Sequence, residues 1–433
     1  MPSNIASDWS EGVMRTADQF VAQVASIAEI NSTVIPEMER EEKGRFRTPT
    51  REIDEYLSPE EKIAFAEGAR EFAEGLAKVA EMAERGETNA EVNLQLHGSA
   101  GAVIAHMVTH GTRFMNADPQ HQLLRNALLV SSVSSFEILF GRVARAILDI
   151  NRAAFTESDH GFTLQQLFEF NSLEDAREFL IERQVSKLLY ESVDGWDKWL
   201  KRASGGLSMS ELPIDWTVVR EGFARRNLLV HSDGVVNQIY LGILKKLDGR
   251  RDWGAKAGEK IGVSGEYLTE FLEELMALGR MLCVGVGVRM RKQDERIFLL
   301  ALLGDIRRNL MAGHWRSVRH TAEYALKYNL PRSDQISAQV SAWVARKSLL
   351  GVDEIRGEVE GWDTTGLVAK FAHQKSVLLN ETDAAVAEIN KLIAEGVLTT
   401  FEVAVEPIYS EVREFVLNPS FDSNSCRGSE NDE

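Results

Sequence analysis

The chain of 433 residues contains only two cysteines, Cys283 and Cys426, far apart in sequence and the second in a polar tail. That scarcity excludes a disulfide framework and a cysteine-based zinc site, and it points to a reducing, cytoplasmic setting. Positive charge is also short: 49 Lys and Arg stand against 66 Asp and Glu, a formal charge of −17. A broad basic face for long nucleic acid needs clustered cations to neutralise phosphates, so that class is excluded. The N-terminus "MPSNIASDWSEGVMRTADQF" has no basic flank leading into an apolar core and does not read as a signal peptide. The most apolar run, "FLEELMALGRMLCVGVGV", is interrupted by Glu273, Glu274 and Arg280, and is too short and too charged to span a bilayer. Strict alternation of polar and apolar residues, the mark of strands, is rare.

What is present is helical periodicity almost throughout, so an all-α fold is expected, with a core supplied by an apolar share of 44%. In "SPEEKIAFAEGAREFAEGLAKVAEMAERG", Ser58 and Glu61 form a capping box, Pro59 sits where no amide partner is needed, and Arg85 with Gly86 closes the helix. Residues 40–57 read as a loop, and Val92 to Leu96 as a short strand. From about 119 a long helix begins, with Leu129, Val133, Phe136, Phe140, Val143 and Ile147 on one face. "NSLED" starts a further helix, and the loop through Ser204, Gly205, Gly206 and Pro213 leads to one running from Trp216 to His231, stopped by "HSDG". After a joint at 249–262, a helix over 264–293 leads into hairpins. Their second helices begin near Asp334, Gly366 and Thr399, a step of about 33 residues, which is TPR-like. The expected organisation is an acidic, mostly helical region over 1–119, a helical bundle over 120–250, TPR-like helical hairpins over 251–417 and a disordered tail over 418–433. Residues 1–124 carry a charge of −10, 125–250 of −1 and 251–433 of −6.

The least acidic stretch holds "FARRNLLVHSDGVVNQIYL", residues 223–241, in which Arg226 and Asn227 are followed by His231. The spacing alone is cheap, since "RRNLMAGH" repeats it at Arg308 and His314. Placement separates the two. Val219, Phe223, Arg226 and Val230 step by four, three and four, so Arg226 projects in line with apolar side chains and needs an anion for its fork. In the second match the core line is Leu299, Leu303, Ile306 and Leu310, and Arg308 falls on a solvated face. Residues five apart on a helix are separated by about 140°, an obstacle that eases if His231 sits where helical dihedrals end or if two copies share a cleft. The plain alternative leaves Arg226 snorkelling from the stripe edge and His231 capping the last carbonyls. Other constellations are weaker. His106 and His110 lack a following Glu and a third ligand, "GAKAGEKIG" lacks the Ser/Thr of a phosphate loop, and "VGVGV" lacks the third glycine of a dinucleotide fingerprint. No metal or cofactor is expected.

"ARRNLLVHSDGVVNQIYL", preceded by "LLVSSVSSFEILFGRVARAIL" and "FTLQQLFEFNSLEDAREFLIERQVSKLL", resembles the HEPN superfamily (higher eukaryotes and prokaryotes nucleotide-binding domain), over residues of about 120–250. The resemblance implies a metal-independent endoribonuclease that leaves 2′,3′-cyclic phosphate and 5′-hydroxyl ends, acting as a homodimer on RNA in a defence or toxin setting. It implies catalytic roles for Arg226, His231 and Asn227, with Glu137 and Arg225 in support. The hairpins are a candidate surface for a protein partner. A noncatalytic RNA- or nucleotide-binding domain and a plain helical scaffold stay open as alternatives.

Overall fold

The computed structural model describes residues 3–45, 118–155, 168–247 and 251–418, with scattered positions over 58–78 and 162–165. The protein is all-α: every element of regular structure among the described residues is helical, and extended backbone pairs there only at the single Val235–Lys260 bridge. In chain order, α1 is Ser3–Glu29, α2 Ile35–Arg45, α3 Gln120–Ile150, α4 Leu173–Leu189, α5 Val193–Ala203, α6 Trp216–Ser232, α7 Gln238–Leu244 and α8 Gly265–Met290. The hairpin region follows as α9 Glu295–Ala312, α10 Trp315–Ala325, α11 Arg332–Leu350, α12 Asp353–Glu360, α13 Ala369–Ala372, α14 Gln374–Leu378, α15 Thr382–Ala394, α16 Thr400–Val405 and α17 Arg413–Leu417.

The chain forms two compact units, one of Met1–Ala28, Leu129–Ile261 and Glu266–Glu433, the other of Glu29–Leu128 with Gly262–Gly265. The expected boundaries at 119/120 and 250/251 therefore fall inside units. In the smaller unit, Arg125 pairs with Glu39, His121 with Glu42, and the Gln122 amide donates to the Val263 carbonyl at 3.2 Å. Helix α2 continues through Arg45, so the first residues of the expected 40–57 loop are helical. The capping box at Ser58 and Glu61 is present in both directions, at 2.9 and 3.3 Å. The expected strand at Val92 to Leu96, Arg85 with Gly86, and His106 with His110 lie outside the described residues, as does the tail beyond 418.

The larger unit is built on the α3 stripe: Leu129, Val133, Phe136, Phe140, Val143 and Ile147 are all buried to 0–1% exposure. Phe140 stacks on Trp196 of α5 at 4.7 Å, and Phe223 of α6 meets both Phe136 and Trp196 edge-on at 5.9 Å. This aromatic seam fixes α5 and α6 against α3. Helix α3 is long and apolar enough to cross a membrane, but its apolar face is this protein core. Helix α8 runs through the unit and is buried along nearly its whole length. Its glycines allow close approach: a Cβ at Gly279 would stand 2.2 Å from the Phe20 ring, and one at Gly287 2.2 Å from Phe298. The "VGVGV" glycines thus belong to helix packing.

The hairpins are less regular than a 33-residue repeat requires. The helices expected near Asp334, Gly366 and Thr399 start at Arg332, Ala369 and Thr400 and contain 19, 4 and 6 residues. Thr399 and Glu402 make a full capping box, but the last hairpins bury their own small core of Ile389, Leu392, Leu398, Val403 and Tyr409.

Candidate functional site

Helix α6 is held at its start, middle and end. Asp215 caps it, accepting from the Thr217 and Val218 amides at 3.0 and 3.3 Å, while its own N–H donates to buried Glu274 of α8 at 2.9 Å. In the middle, Glu221 is fully buried and accepts from Arg225 Nε at 2.7 Å and from the hydroxyls of Tyr240 and Tyr267. Arg225 also lies over the Tyr267 ring at 4.0 Å. Burial disfavours the Arg225 charge, yet the surrounding Tyr267, Glu221 and Tyr240 outweigh it and hold the guanidinium more firmly protonated than usual. Burial is likewise the main reason that the Tyr240 phenol is pushed up, with the Glu221 charge adding to it. At its end, "HSDG" works through two left-handed residues: Asp233 at φ 49° and Gly234 at φ 77°, whose N–H donates to the Leu228 carbonyl at 3.2 Å. Lys260 reaches Asp233 at 3.0 Å.

The Arg226 line begins in the core and ends in solvent: Val219 is buried, Phe223 half-buried, Arg226 22% exposed at its side chain and Val230 exposed. The anion that such an arginine needs is Glu137 of α3. Nη2 of Arg226 donates to both carboxylate oxygens, at 2.7 and 2.8 Å, and Nη1 donates to Asn227 Oδ1 at 3.0 Å. Nε is buried and has no acceptor among the described residues. Three of the five sequence-selected residues, Arg226, Asn227 and Glu137, are therefore joined in one cluster. Arg225 faces the interior with Glu221, on another side of the helix. His231 is exposed and no described side chain pairs with it. Helix α6 continues through His231 to Ser232, so the imidazole is not carried on a broken turn, and the angular separation from Arg226 stays helical.

The second Arg-to-His match, expected on a solvated surface, is so only at Arg308, since His314 is half-buried. Arg308 is 61% exposed and pairs with Asp305 and Asp18, while burial lowers the His314 pKa. In the core line of that helix, fully buried Leu302 stands in place of half-buried Leu303. Burial pushes the Cys283 thiol up to about 12, which leaves it protonated and poorly nucleophilic. Among the described residues no group of three or more His, Cys, Asp or Glu side chains is placed to hold a metal ion.

Sequence reasoning missed two features. Glu221 and Arg225 carry the usual signal of an i,i+4 helix pair, but only the arrival of Tyr240 and Tyr267 shows it to be buried. Glu273 and Glu274, read as interruptions of an apolar run, are amide acceptors. Glu273 takes the Arg316 N–H at the start of α10 at 2.6 Å, and Glu274 takes Asp215 and pairs with His320 Nε2 at 3.0 Å. No family model, curated protein or solved structure matches the chain.

Proposed function

We propose that the protein is a metal-independent endoribonuclease of the HEPN type, acting as a homodimer in a cytoplasmic defence or toxin role. The observation that carries the reading is Arg226. A cation emerges from an apolar line, is held in place by a carboxylate from a neighbouring helix, and stands on the same short segment as an exposed amide and an exposed imidazole. The guanidinium neutralises the non-bridging phosphate oxygens as their charge grows. Imidazole exchanges protons near neutral pH. His231 takes the proton of the ribose 2′-hydroxyl as its oxygen attacks phosphorus. The P–O5′ bond then breaks, and the departing 5′-oxygen receives a proton from the imidazolium so formed, leaving a 2′,3′-cyclic phosphate and a 5′-hydroxyl. Asn227, already bonded to Nη1, orients the phosphate, and Glu137 positions Arg226.

The dimer in this reading answers the helix geometry: Arg226 and His231 are about 140° apart on one continuous helix, and two copies would bring one of each to a shared cleft. The elements that carry the site also expose large apolar side chains, Ile138 of α3, Val230 of α6 and Ile239 of α7. With a charge of −17, a compact RNA or recruitment by a protein partner through the hairpins suits the chain better than processive binding of long RNA. One observation favours the noncatalytic reading: Glu137 already neutralises Arg226 within the chain.

Purified protein incubated with total RNA in chelator decides between them. The expected result is cleavage with cyclic-phosphate ends that Arg226→Ala or His231→Ala reduces by about 10²-fold or more. RNA retention without cleavage establishes the binding module, and cleavage indifferent to both substitutions removes this site from consideration.

A further inference from the structure

The hairpin of α4 and α5 carries a cavity of about 240 Å³ lined by Lys187, Glu191, Gly195, Lys198, Trp199 and Arg202. Three cations and one carboxylate make it positive, against the charge of the chain as a whole. Lys198 and Arg202 are four residues apart on α5, where like charges repel. Among the described residues no carboxylate engages either of them, whereas Lys201 between them is bound to Glu211 at 2.6 Å. Trp199 lines the cavity, is 6% exposed, and its indole N–H has no acceptor among the described residues. Three other indoles are satisfied: Trp9 donates to the Ala146 carbonyl, Trp196 to that of Leu188, and Trp343 to Glu358. Glu191 folds over Gly195, its Oε2 3.3 Å from where a Cβ would stand.

An unpartnered N–H donor on a residue that lines the cavity, with two repelling cations on the same helix, suits an oxyanion. The Trp199 ring packs edge-on against Phe140 at 6.3 Å and is too buried to stack on a base. The recognised group is thus phosphate and not a nucleobase. Cations that close together also give a steep salt dependence.

We propose that this cavity, which shares no residue with the Arg226 cluster, binds a backbone phosphate of the RNA substrate and so anchors the strand on an otherwise acidic protein. The inference rests on the ribonuclease reading for the source of the phosphate, but its test does not depend on cleavage. The indole resonance of Trp199, assigned with Trp199→Phe, is followed by NMR in full-length His231→Ala protein during titration with inorganic phosphate and then with single-stranded RNA. Both titrations are expected to move it. Lys198→Ala with Arg202→Ala is expected to weaken RNA binding by about tenfold and to lower the slope of log affinity against log salt by about 1.4. A resonance indifferent to both probes, or RNA affinity unchanged in the double variant, overturns the site. A response to phosphate alone overturns RNA as the source and assigns the cavity to a small phosphorylated ligand. Because binding is read in a His231→Ala background, loss of the nuclease reading and loss of this one are separate results.

Discussion

Gly222 tests whether the packing that places Arg226 is as tight as it looks. It lies on α6 one turn before Arg226, and a Cβ there would stand 2.1, 2.4 and 2.8 Å from three ring carbons of Phe271 on α8. Carbon atoms settle at about 3.5–4.0 Å, so the ring would have to retreat by more than about 1 Å. It has no room, being fully buried and parallel to the Tyr267 ring, their centroids 6.4 Å apart. Against this, alanine in place of glycine inside a helix gains about 1 kcal/mol, while overpacking a filled core costs about 1–3 kcal/mol and sometimes more. At so short a distance the steric effect wins, and Gly222→Ala should lose about 2 kcal/mol net. Urea unfolding measures it. Gly12→Ala in α1, with nothing within 4 Å of the new methyl, is the control and should be stabilised by up to about 1 kcal/mol. Phe271→Leu in the Gly222→Ala background should recover part of the loss, a non-additivity expected only of residues in contact. A Gly222→Ala protein as stable as the parent, beside a normal Gly12→Ala control, would refute the reasoning.

Further expectations concern buried charge. Burial pushes the Glu273 carboxyl up to about 7, only partly opposed by the Arg316 and Ser317 amides. An acid whose folded pKa is raised stabilises the protein below its unfolded value and loses that contribution as pH climbs through the folded one. Glu273→Gln, which keeps an acceptor for α10, should therefore match the parent near pH 4.5 and exceed it by up to about 3 kcal/mol at pH 8. Equal urea midpoints at both pH values would contradict this. Arg280 is buried to 1% exposure with Asp305 beside it at the same exposure and Asp18 as a second, more open partner. Asp305→Asn should cost about 3 kcal/mol, toward the lower end for a broken buried pair because Asp18 remains, and a thermal scan showing no loss would count against it.

What the sequence made readable follows from the range of each interaction. The α3 stripe, the caps at Ser58, Ser172 and Thr399, and the "HSDG" stop are decided within a few residues, and all are present in the structure. The need of Arg226 for an anion was readable from its alignment with Val219 and Phe223, and Glu137 supplies that anion. Whether a glutamate is solvated or buried was not readable, since that depends on which helix arrives on top. Glu221, Glu273 and Glu274 each look like ordinary helix carboxylates until Tyr267, α10 and Asp215 close over them. The cavity at Trp199 was hidden for the same reason, because its cations lie on two helices joined by a turn. Regular hairpin periodicity was overestimated: the helices expected near Asp334, Gly366 and Thr399 differ in length, and of the three only the last is set by a side-chain cap, at Thr399.

The anchoring of α6 carries the argument for a shared site. Glu274 fixes its start, the Glu221 cluster its middle, and Asp233 with Lys260 its end, which opposes the unwinding of the last turn that would be needed to bring His231 beside Arg226. If the two act on one phosphate, they come from different copies. Arg226→Ala and His231→Ala proteins, each inactive alone, should then complement one another on mixing. Random pairing makes half of the dimers mixed, and each mixed dimer has one intact composite site out of two, so about a quarter of parental activity should return. A site built within one chain predicts no return at all, since no chain in the mixture keeps both groups. Complementation that vanishes on dilution would tie the recovered activity to association between copies, whereas a mixture as inactive as its parts would refute the shared cleft.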